Sequence, residues 1–199
     1  MTLDLLAWRR TVHELYGEVR ALDPAAGHAW WRRGRDELFR TSSQSPLAAD
    51  DPRRTTGLPV PPYDPAWRVE VPLEPAAPER RALEGIVMER IGLLRTPWGT
   101  LDAWWLAEYS GGLFVPVKDR TAGTTSYGAG RYLLDTAKGA DLGGSVVLDL
   151  NFLYHPSCAY DPIWSCPLAP AGNVLDVAVP VGEQLPADLR SFCQSSGEG

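Results

Sequence analysis

The sequence predicts an α+β protein in which two N-terminal helices precede a mainly antiparallel β-sandwich or partly closed barrel of six to seven strands. Two observations predict this fold class. Apolar side chains recur at the helical spacing of three and four in residues 5–22, whereas apolar and polar side chains alternate from residue 67. The links between the later candidate strands are too short for crossover helices, so neighbouring strands must run antiparallel. The 199 residues, 44% of them hydrophobic, are expected to form a single domain, 1–199.

The N-terminal section, 1–40, is predicted to hold both helices. A second helix is expected to begin at Pro24, because Asp23 supplies an N-cap and proline fits the first turn, and to run toward residue 40. The connector that follows, 41–66, contains six prolines, so we expect extended chain without helix there. The apolar face of the first helix consists of Leu5, Trp8, Val12, Leu15, Val19 and Leu22.

The section 67–185 is predicted to form the β-rich core, followed by a frayed tail over 186–199. Its first strand alternates apolar and polar side chains over 67–73, and Pro72 favours a place at the edge of the sheet. Trp104 and Trp105 would face opposite sides of their strand. Further strands are predicted over 85–94, 100–109, 113–117, 130–136, 145–153 and 174–181.

Charge and composition exclude several kinds of partner. The net charge of −6 and a pI of about 5.1 leave no basic field for nucleic acid or an anionic membrane. The first residues predict no secretion signal, and the sequence contains no apolar run of about 20 residues. Three cysteines are too few for a disulfide framework, which fits a reducing compartment. We therefore expect a cytoplasmic protein without nucleic-acid or membrane partners, and the oligomeric state stays open.

The first stretch of polar residues, DRTAGTTSYGAGRY over 119–132, has the composition of an anion-binding loop. Backbone N–H groups freed by glycine, several hydroxyls and one guanidinium can all donate to a carboxylate or phosphate. The alternative is a surface loop whose glycines form turns and whose threonines cap their own backbone. The candidate substrate-binding residues in this stretch are Tyr127, Gly128, Gly130, Arg131 and Tyr132.

The second polar stretch, over 149–167, begins with Asp149 and Asn151, which would project together from one face of a strand. If the strands over 130–136 and 145–153 form a hairpin, Arg131 arrives near Asp149 or Asn151. One interpretation is a buried structural ion pair. In the other, Arg131 and Asn151 bind an anionic substrate while Asp149, Asp119 or His155 transfers a proton. An imidazole suits that role because its ordinary pKa lies near neutrality.

His155, Cys158 and Cys166 share a proline-rich loop with Tyr160, a further candidate for substrate binding. Four interpretations of this loop compete. They are a zinc site completed by the distant Cys193, a thiolate nucleophile beside His155, a Cys158–Cys166 disulfide, and two small thiols that pack the loop. No metal site is predicted, and His155, Cys158 and Cys166 remain the weak candidates for one.

Several motifs in order resemble one known family. The segments are SPL, GLPVPPYDPAWRV, DRTAGTTSYGAGRYL, VVLDLNFLYHPSCAYDP, CPLAP and GNVLDVAVPVGE. Over 30–183 the chain resembles DUF1684, a bacterial and archaeal family of unknown function. His155 stands where the family commonly has asparagine, and Ser157 where it has proline. The resemblance implies one domain with the β half as its core and supplies no activity.

Three functional hypotheses follow from the sequence. The preferred one is an uncharacterised protein that binds a small anionic metabolite, a carboxylate or a phosphate, and that has groups for acid–base catalysis. The second is a non-catalytic interaction module in which the polar residues form a buried network. The third is a flavin-binding split barrel, which the number of strands permits. No cofactor is predicted, while flavin and zinc stay open.

Overall fold

A computed structural model of the chain describes residues 2–83, 85–107, 112–133 and 145–187. Within these ranges the protein is α+β, with N-terminal helices and one antiparallel sheet that curls into a half-barrel. The predicted fold class is thereby confirmed. No helix in the described ranges is both long and apolar enough to span a membrane. Cys193, the part of a predicted strand over 134–136 and most of the predicted tail, 188–199, lie outside these ranges.

Both predicted N-terminal helices are present, as α1 (Thr2–Ala21) and α2 (Pro24–Thr41). The Asp23 carboxylate accepts from the Ala26 N–H at 3.1 Å, and Pro24 occupies the first turn of α2, as the sequence indicates. The helices pack closely at Gly34, where an added Cβ would lie 2.5 Å from the Leu15 side chain. A bond of 3.0 Å from the Trp31 indole N–H to the Tyr16 hydroxyl also joins them. The two helices therefore form one unit against the sheet.

The expectation of a helix-free connector over 41–66 is wrong. A one-turn helix, α3 (Arg53–Thr56), follows Pro52, and a 3-10 turn covers Pro65–Trp67. In both cases the proline precedes or opens the helix, where its missing N–H is not needed. Asp51 stabilises α3 by accepting from the Arg53 N–H at 2.8 Å. Proline therefore starts these turns instead of preventing them.

Seven strands form the sheet in the described ranges. They are β1 (Arg68–Glu74), β2 (Arg80–Leu83), β3 (Ile86–Thr96), β4 (Gly99–Leu106), β5 (Leu113–Val117), β6 (Arg131–Leu133) and β7 (Ser145–Asp149). The order is β6-β5-β4-β3-β1-β7, and β2 pairs with β3 outside this path. Each neighbouring pair is antiparallel, as the short links predict. β2 was not predicted, because its four residues carry no apolar alternation.

Pro72 does not place β1 at the edge of the sheet, and that prediction is wrong. β1 lies between β3 and β7. It pairs with β7 over Arg68 to Pro72 but with β3 only at Leu73 and Glu74. Pro72 therefore occupies the point where the strand changes partner, and its missing N–H removes no bond to β3.

The predicted strand over 174–181 is absent, and the predicted strand over 145–153 ends at Asp149. Several carbonyls of 179–183 accept from a buried side chain, Arg131, and not from a neighbouring strand. After Asp149 a 3-10 turn covers Leu150–Phe152, because the Asp149 carboxylate accepts from the Asn151 N–H and caps it. Side-chain bonds to the backbone thus end the strand at Asp149 and hold the carbonyls of 179–183.

The sheet curls because the chain beyond β7 returns to β6, at the other end of the strand order. Tyr132 of β6 and Tyr154 exchange two backbone hydrogen bonds, of 2.8 and 3.1 Å. Trp104 is buried while Trp105 is exposed, so the two face opposite sides as predicted. The main core lies inside the curl, and Leu15 and Trp31 from the helices belong to it. The helices therefore cover the half-barrel beside Tyr154.

Candidate functional site

A cavity of about 670 Å³ lies between α1, α2 and the segment 154–160 that follows the sheet. Its apolar wall comes mainly from the two helices, and its polar lining comes from the segment, from Arg35 of α2 and from charged side chains of α1. The segment is held there by the pairing of Tyr154 with β6. The apolar lining includes Trp8, Val12, Leu15, Trp31, Leu38 and Phe39.

Arg35 is the most deeply buried cation of this cavity, with 10% of its side chain exposed. Its Nη2 donates to Glu183 Oε2 at 2.8 Å and to the Tyr160 hydroxyl at 3.1 Å. The guanidinium lies over the Phe39 ring, 4.6 Å from its centroid, which adds a cation–π contact. Within the described ranges Nε and Nη1 of Arg35 donate no hydrogen bond. Arg35 therefore lines the cavity with N–H groups that no other described residue engages.

Glu183 fixes Arg35 from behind and is almost fully buried. Besides Arg35 its carboxylate accepts from the Tyr160 hydroxyl and from the backbone N–H of His155, the latter at 2.9 Å. Burial on its own would raise the pKa of Glu183, but the Arg35 charge and the bonds from His155 and Tyr160 lower that pKa to about 2. Burial and the adjacent Glu183 raise the pKa of Tyr160 well above its usual range. Arg35 and Glu183 thus form a charged pair, the anchor pair, and the neutral phenol of Tyr160 lies beside it.

His155 is held in one tautomer by its two neighbours. Its Nε2 accepts from the Tyr127 N–H at 3.2 Å, so that nitrogen carries no proton. The proton is therefore on Nδ1, which lies 3.4 Å from Glu183 Oε1. Tyr127 also packs its ring against the imidazole. Both ring nitrogens of His155 are engaged, although one side of the residue lines the cavity.

Arg131, the guanidinium on which the sequence hypothesis depends, lies apart from this cavity and is fully buried. Its Nη2 donates to Asp119 Oδ2 at 2.8 Å, and the side chains of the pair are 0% and 1% exposed. The same guanidinium donates to the carbonyls of Val179, Val181 and Glu183. Its Nε is equally buried and has no hydrogen-bond partner in the part of the chain that the structure describes. This is the buried network that the structural interpretation describes, and no atom of Arg131 is accessible.

The hydroxyl-rich loop before Arg131 bonds mainly to itself. Thr121 and Ser126 share a hydrogen bond of 2.7 Å between their hydroxyls, and the Thr124 hydroxyl donates to the Thr121 carbonyl. Gly130 has a φ of +99°, and a Cβ there would lie 2.7 Å from the Val117 carbonyl oxygen. Gly128 is exposed at the loop surface. The arrangement matches the second interpretation of this stretch, a loop whose threonines cap their own backbone.

Asp149 and Asn151 do lie together, with a bond of 2.8 Å between their side chains. They face the connector, because Asp149 accepts from the Tyr63 hydroxyl and Asn151 exchanges two bonds with the Asp64 backbone. Arg131 does not approach either of them, since β6 and β7 lie at opposite ends of the strand order. Those strands therefore form no hairpin, and both polar residues fasten the connector to the sheet.

The remaining candidate residues, Tyr132, Cys158 and Cys166, lie near Tyr127. The Tyr132 hydroxyl donates to the Pro167 carbonyl at 2.5 Å. Cys158 and Cys166 are free and partly buried. In the described ranges no group of three or more His, Cys, Asp or Glu side chains is arranged to hold a metal ion.

Comparison with known proteins places the chain in a family. Residues 54–184 match the model of a family described as protein of unknown function, DUF1684. The chain belongs to this family. A solution NMR structure of an uncharacterised protein from Haloarcula marismortui is similar to it, with 31% sequence identity and a TM-score of 0.60, over 79% of this chain and 91% of that one. No curated protein matches the chain.

The match to DUF1684 contains three of the four residues that make up the anchor pair and its two neighbours. His155, Tyr160 and Glu183 lie inside the matched range, whereas Arg35 lies on α2, before it begins. Sequence reasoning selected His155 and Tyr160 but missed Arg35 and Glu183. The available signal for Arg35 was its spacing from Trp31 and Phe39, which places a charge on the buried face of α2. In this DUF1684 protein the helices thus supply Arg35 and the apolar wall of a cavity, and the family segment supplies the facing wall.

Proposed function

We propose that this DUF1684 protein binds a small anionic molecule with an apolar body in the cavity between α1, α2 and the segment 154–160. The observation that supports the proposal is Arg35, a guanidinium anchored by Glu183 and Tyr160 that borders the cavity with unused N–H groups. A carboxylate or phosphate fits a guanidinium edge because two N–H groups can bond two oxygens at once.

The charges around the cavity support an anionic ligand. Its charged lining comprises one glutamate, Glu14, and four arginines. This local excess of positive charge lies in a protein whose net charge is −6, so it is a feature of the cavity and not of the whole surface. We expect the anionic group of the ligand to bind Arg35, while the other three arginines attract it from the rim of the cavity. The arginines are Arg9, Arg10, Arg20 and Arg35.

The size and walls of the cavity support a ligand with an apolar part. About 670 Å³ lies within the range of about 300 to 1,000 Å³ that is usual for small-molecule sites. Trp31, Leu38 and Phe39 offer apolar surface next to Arg35. Because both ring nitrogens of His155 are engaged, we propose binding as the function and give His155 the role of holding Glu183 in place.

A thermal-shift comparison of acids with their neutral amides tests the proposal. Octanoate and indole-3-acetate serve as probes, with octanamide and indole-3-acetamide as controls of the same shape. At about 100 times its Kd, a binding acid should raise the Tm by roughly 5 °C or more, whereas the amides should change it little. Equal shifts for acids and amides, or none for either acid, would contradict an anion site.

The variant that tests the anchor changes both members of the ion pair. Arg35→Met with Glu183→Gln removes the guanidinium without leaving a lone buried charge. We expect this double variant to lose the response to the acids. Arg80→Gln, which changes an exposed arginine of β2 outside the cavity, is the matched control and should respond as the unchanged protein does. If the folded double variant responds as strongly as the control, Arg35 is not the anchor.

A further inference from the structure

The chain between Cys158 and Cys166 folds back through two consecutive turns. The N–H groups of Tyr160 and Asp161 donate to the Ser157 carbonyl, at 3.0 and 3.2 Å. The Asp161 carboxylate accepts from the Ile163 N–H at 2.9 Å, and its carbonyl accepts from Trp164 at 3.2 Å. Pro162 supports the second turn because its ring fixes φ. Both ends of this loop meet β6, because Tyr132 pairs with Tyr154, four residues before Cys158, and its hydroxyl donates to the Pro167 carbonyl.

The two thiols lie close enough to act on each other and on the same two tyrosines. Besides burial, the Cys166 thiol raises the pKa of Cys158, and both thiols raise the pKa of Tyr127. Both also raise the pKa of Tyr132, whose hydroxyl donates to the carbonyl of Pro167, the residue after Cys166. Both cysteines are free, and both are partly exposed, so that a small reagent can reach them. Tyr127 and Tyr132 thus border both thiols.

We propose that Cys158 and Cys166 form a reversible disulfide by exchange with a small-molecule disulfide such as oxidised glutathione. One protein thiol loses its proton and attacks a glutathione sulfur, and reduced glutathione leaves from the resulting mixed disulfide. The second protein thiol then attacks the mixed disulfide and releases a second reduced glutathione. The two protein thiols give up two electrons and two protons, and the glutathione disulfide is reduced to two thiols.

The surroundings of the pair favour exchange over metal binding. A zinc site needs about four nitrogen or sulfur ligands. Here the nearby His155 has both ring nitrogens engaged, by Tyr127 and by Glu183. Burial and the neighbouring Cys166 thiol raise the pKa of Cys158 to about 11, so its thiol stays protonated at neutral pH. Because the thiolate is the attacking species, attack by Cys158 should be slow at neutral pH and should accelerate as the pH rises.

Peptide mapping of the unmodified sequence tests the proposal without any variant. Trypsin cleaves after Lys138 and Arg190 and at no site between them, so Cys158 and Cys166 share one peptide while Cys193 falls in another. Folded protein is equilibrated with oxidised and reduced glutathione, and free thiols are then alkylated before digestion. We expect the peptide 139–190 to carry no alkyl group and to weigh two hydrogens less than its reduced form.

A denatured sample and one variant complete the experiment. Protein held in urea at the same glutathione ratio should contain several times less of the internal bridge, because the turns no longer align the thiols. Cys158→Ser should give only a mixed disulfide at Cys166. The proposal is overturned if the folded protein keeps both thiols alkylated, gathers only mixed disulfides, or forms the bridge no more readily than the denatured chain.

Discussion

Arg35 and Arg131 are both buried against a carboxylate, but their surroundings differ. Arg131 donates to Asp119 and to three carbonyls, and it borders no open space. Among the described residues Arg35 has hydrogen-bond partners for Nη2 alone, and it borders a cavity. Because polar residues surround Arg131 in the sequence, the sequence hypothesis selected Arg131, which is fully buried, and not Arg35. Composition shows which groups are present, whereas accessibility depends on contacts between distant segments, such as that of α2 with Glu183.

The first prediction concerns the anchor pair. Arg35→Met alone should lower the free energy of unfolding by about 3 to 5 kcal/mol, because it leaves the Glu183 carboxylate buried without its cation. Adding Glu183→Gln should restore most of that loss. Urea unfolding at pH 7, followed by tryptophan fluorescence, measures both. A single variant as stable as the unchanged protein would mean that Glu183 does not depend on Arg35.

The second prediction concerns the pH dependence of stability through His28. Burial and the nearby Arg32 lower the pKa of His28 to about 4, against the bond that it makes to the Asn151 carbonyl. As the pH falls, the unfolded chain therefore binds this proton before the folded one does. The contribution of His28 to the free energy of unfolding is complete above pH 6.5 and is lost as the pH drops toward 4. The loss should reach roughly 3 kcal/mol, since each pKa unit corresponds to about 1.4 kcal/mol.

Urea unfolding of the unchanged protein and of His28→Gln between pH 7 and pH 4 isolates this contribution from those of the carboxylates. The free energy of unfolding of the unchanged protein minus that of His28→Gln should fall by roughly 3 kcal/mol between pH 7 and pH 4. A difference that stays constant across this range would show that His28 has the same pKa in the folded and unfolded chains.

At the scale of elements, local chemistry predicts a boundary well when all of its partners are nearby. Asp23 and Pro24 fix the start of α2 because the N-cap bond spans three residues. The segment 174–181 has a strand-like alternation as well, yet it forms no strand. Its backbone groups bond to Lys118, Arg120 and Arg131 instead, and no local pattern specifies those distant partners. Periodicity therefore predicts which face is buried more reliably than what the backbone pairs with.

The third prediction compares two glycines in the helical unit. Gly34→Val should lower the free energy of unfolding by about 1 to 3 kcal/mol, because even a Cβ at this position lies 2.5 Å from Leu15. Gly17→Ala is the control on α1, where the nearest atom is 4.0 Å away, and it should raise stability by up to about 1 kcal/mol. Urea unfolding measures both. Equal effects would contradict the close packing of α1 against α2.

At the scale of the whole molecule, the antiparallel arrangement followed from short links, but the order of the strands did not. The curl depends on Tyr132 meeting Tyr154 and on Arg131 holding the segment 179–183 to β6. These contacts join parts of the chain that are far apart in sequence, and a shift of one residue in register would break them. The sequence thus predicts the class of fold, and the long-range contacts determine where the cavity opens.

The fourth prediction assigns Arg131 to the stability of this closure. Arg131→Met should cost about 3 to 5 kcal/mol, because Asp119 and three carbonyls lose a buried donor. Arg120→Gln is the matched control, since its pair with Asp176 is exposed, and it should cost less than about 1 kcal/mol. Both should keep the thermal response to octanoate while folded. Loss of that response in a folded Arg131→Met protein would return the ligand to the loop at 119–131.

Anion binding in the cavity is measured most directly by titrating ¹⁵N-labelled protein with octanoate and following the tryptophan indole N–H signals. Trp8 and Trp31 line the cavity, whereas the Trp104 indole donates to Asn173 inside the sheet. We expect progressive shifts at Trp8 and Trp31 and an unchanged Trp104 signal. Shifts at the backbone of Thr121 and Ser126 with Trp31 unchanged would contradict it.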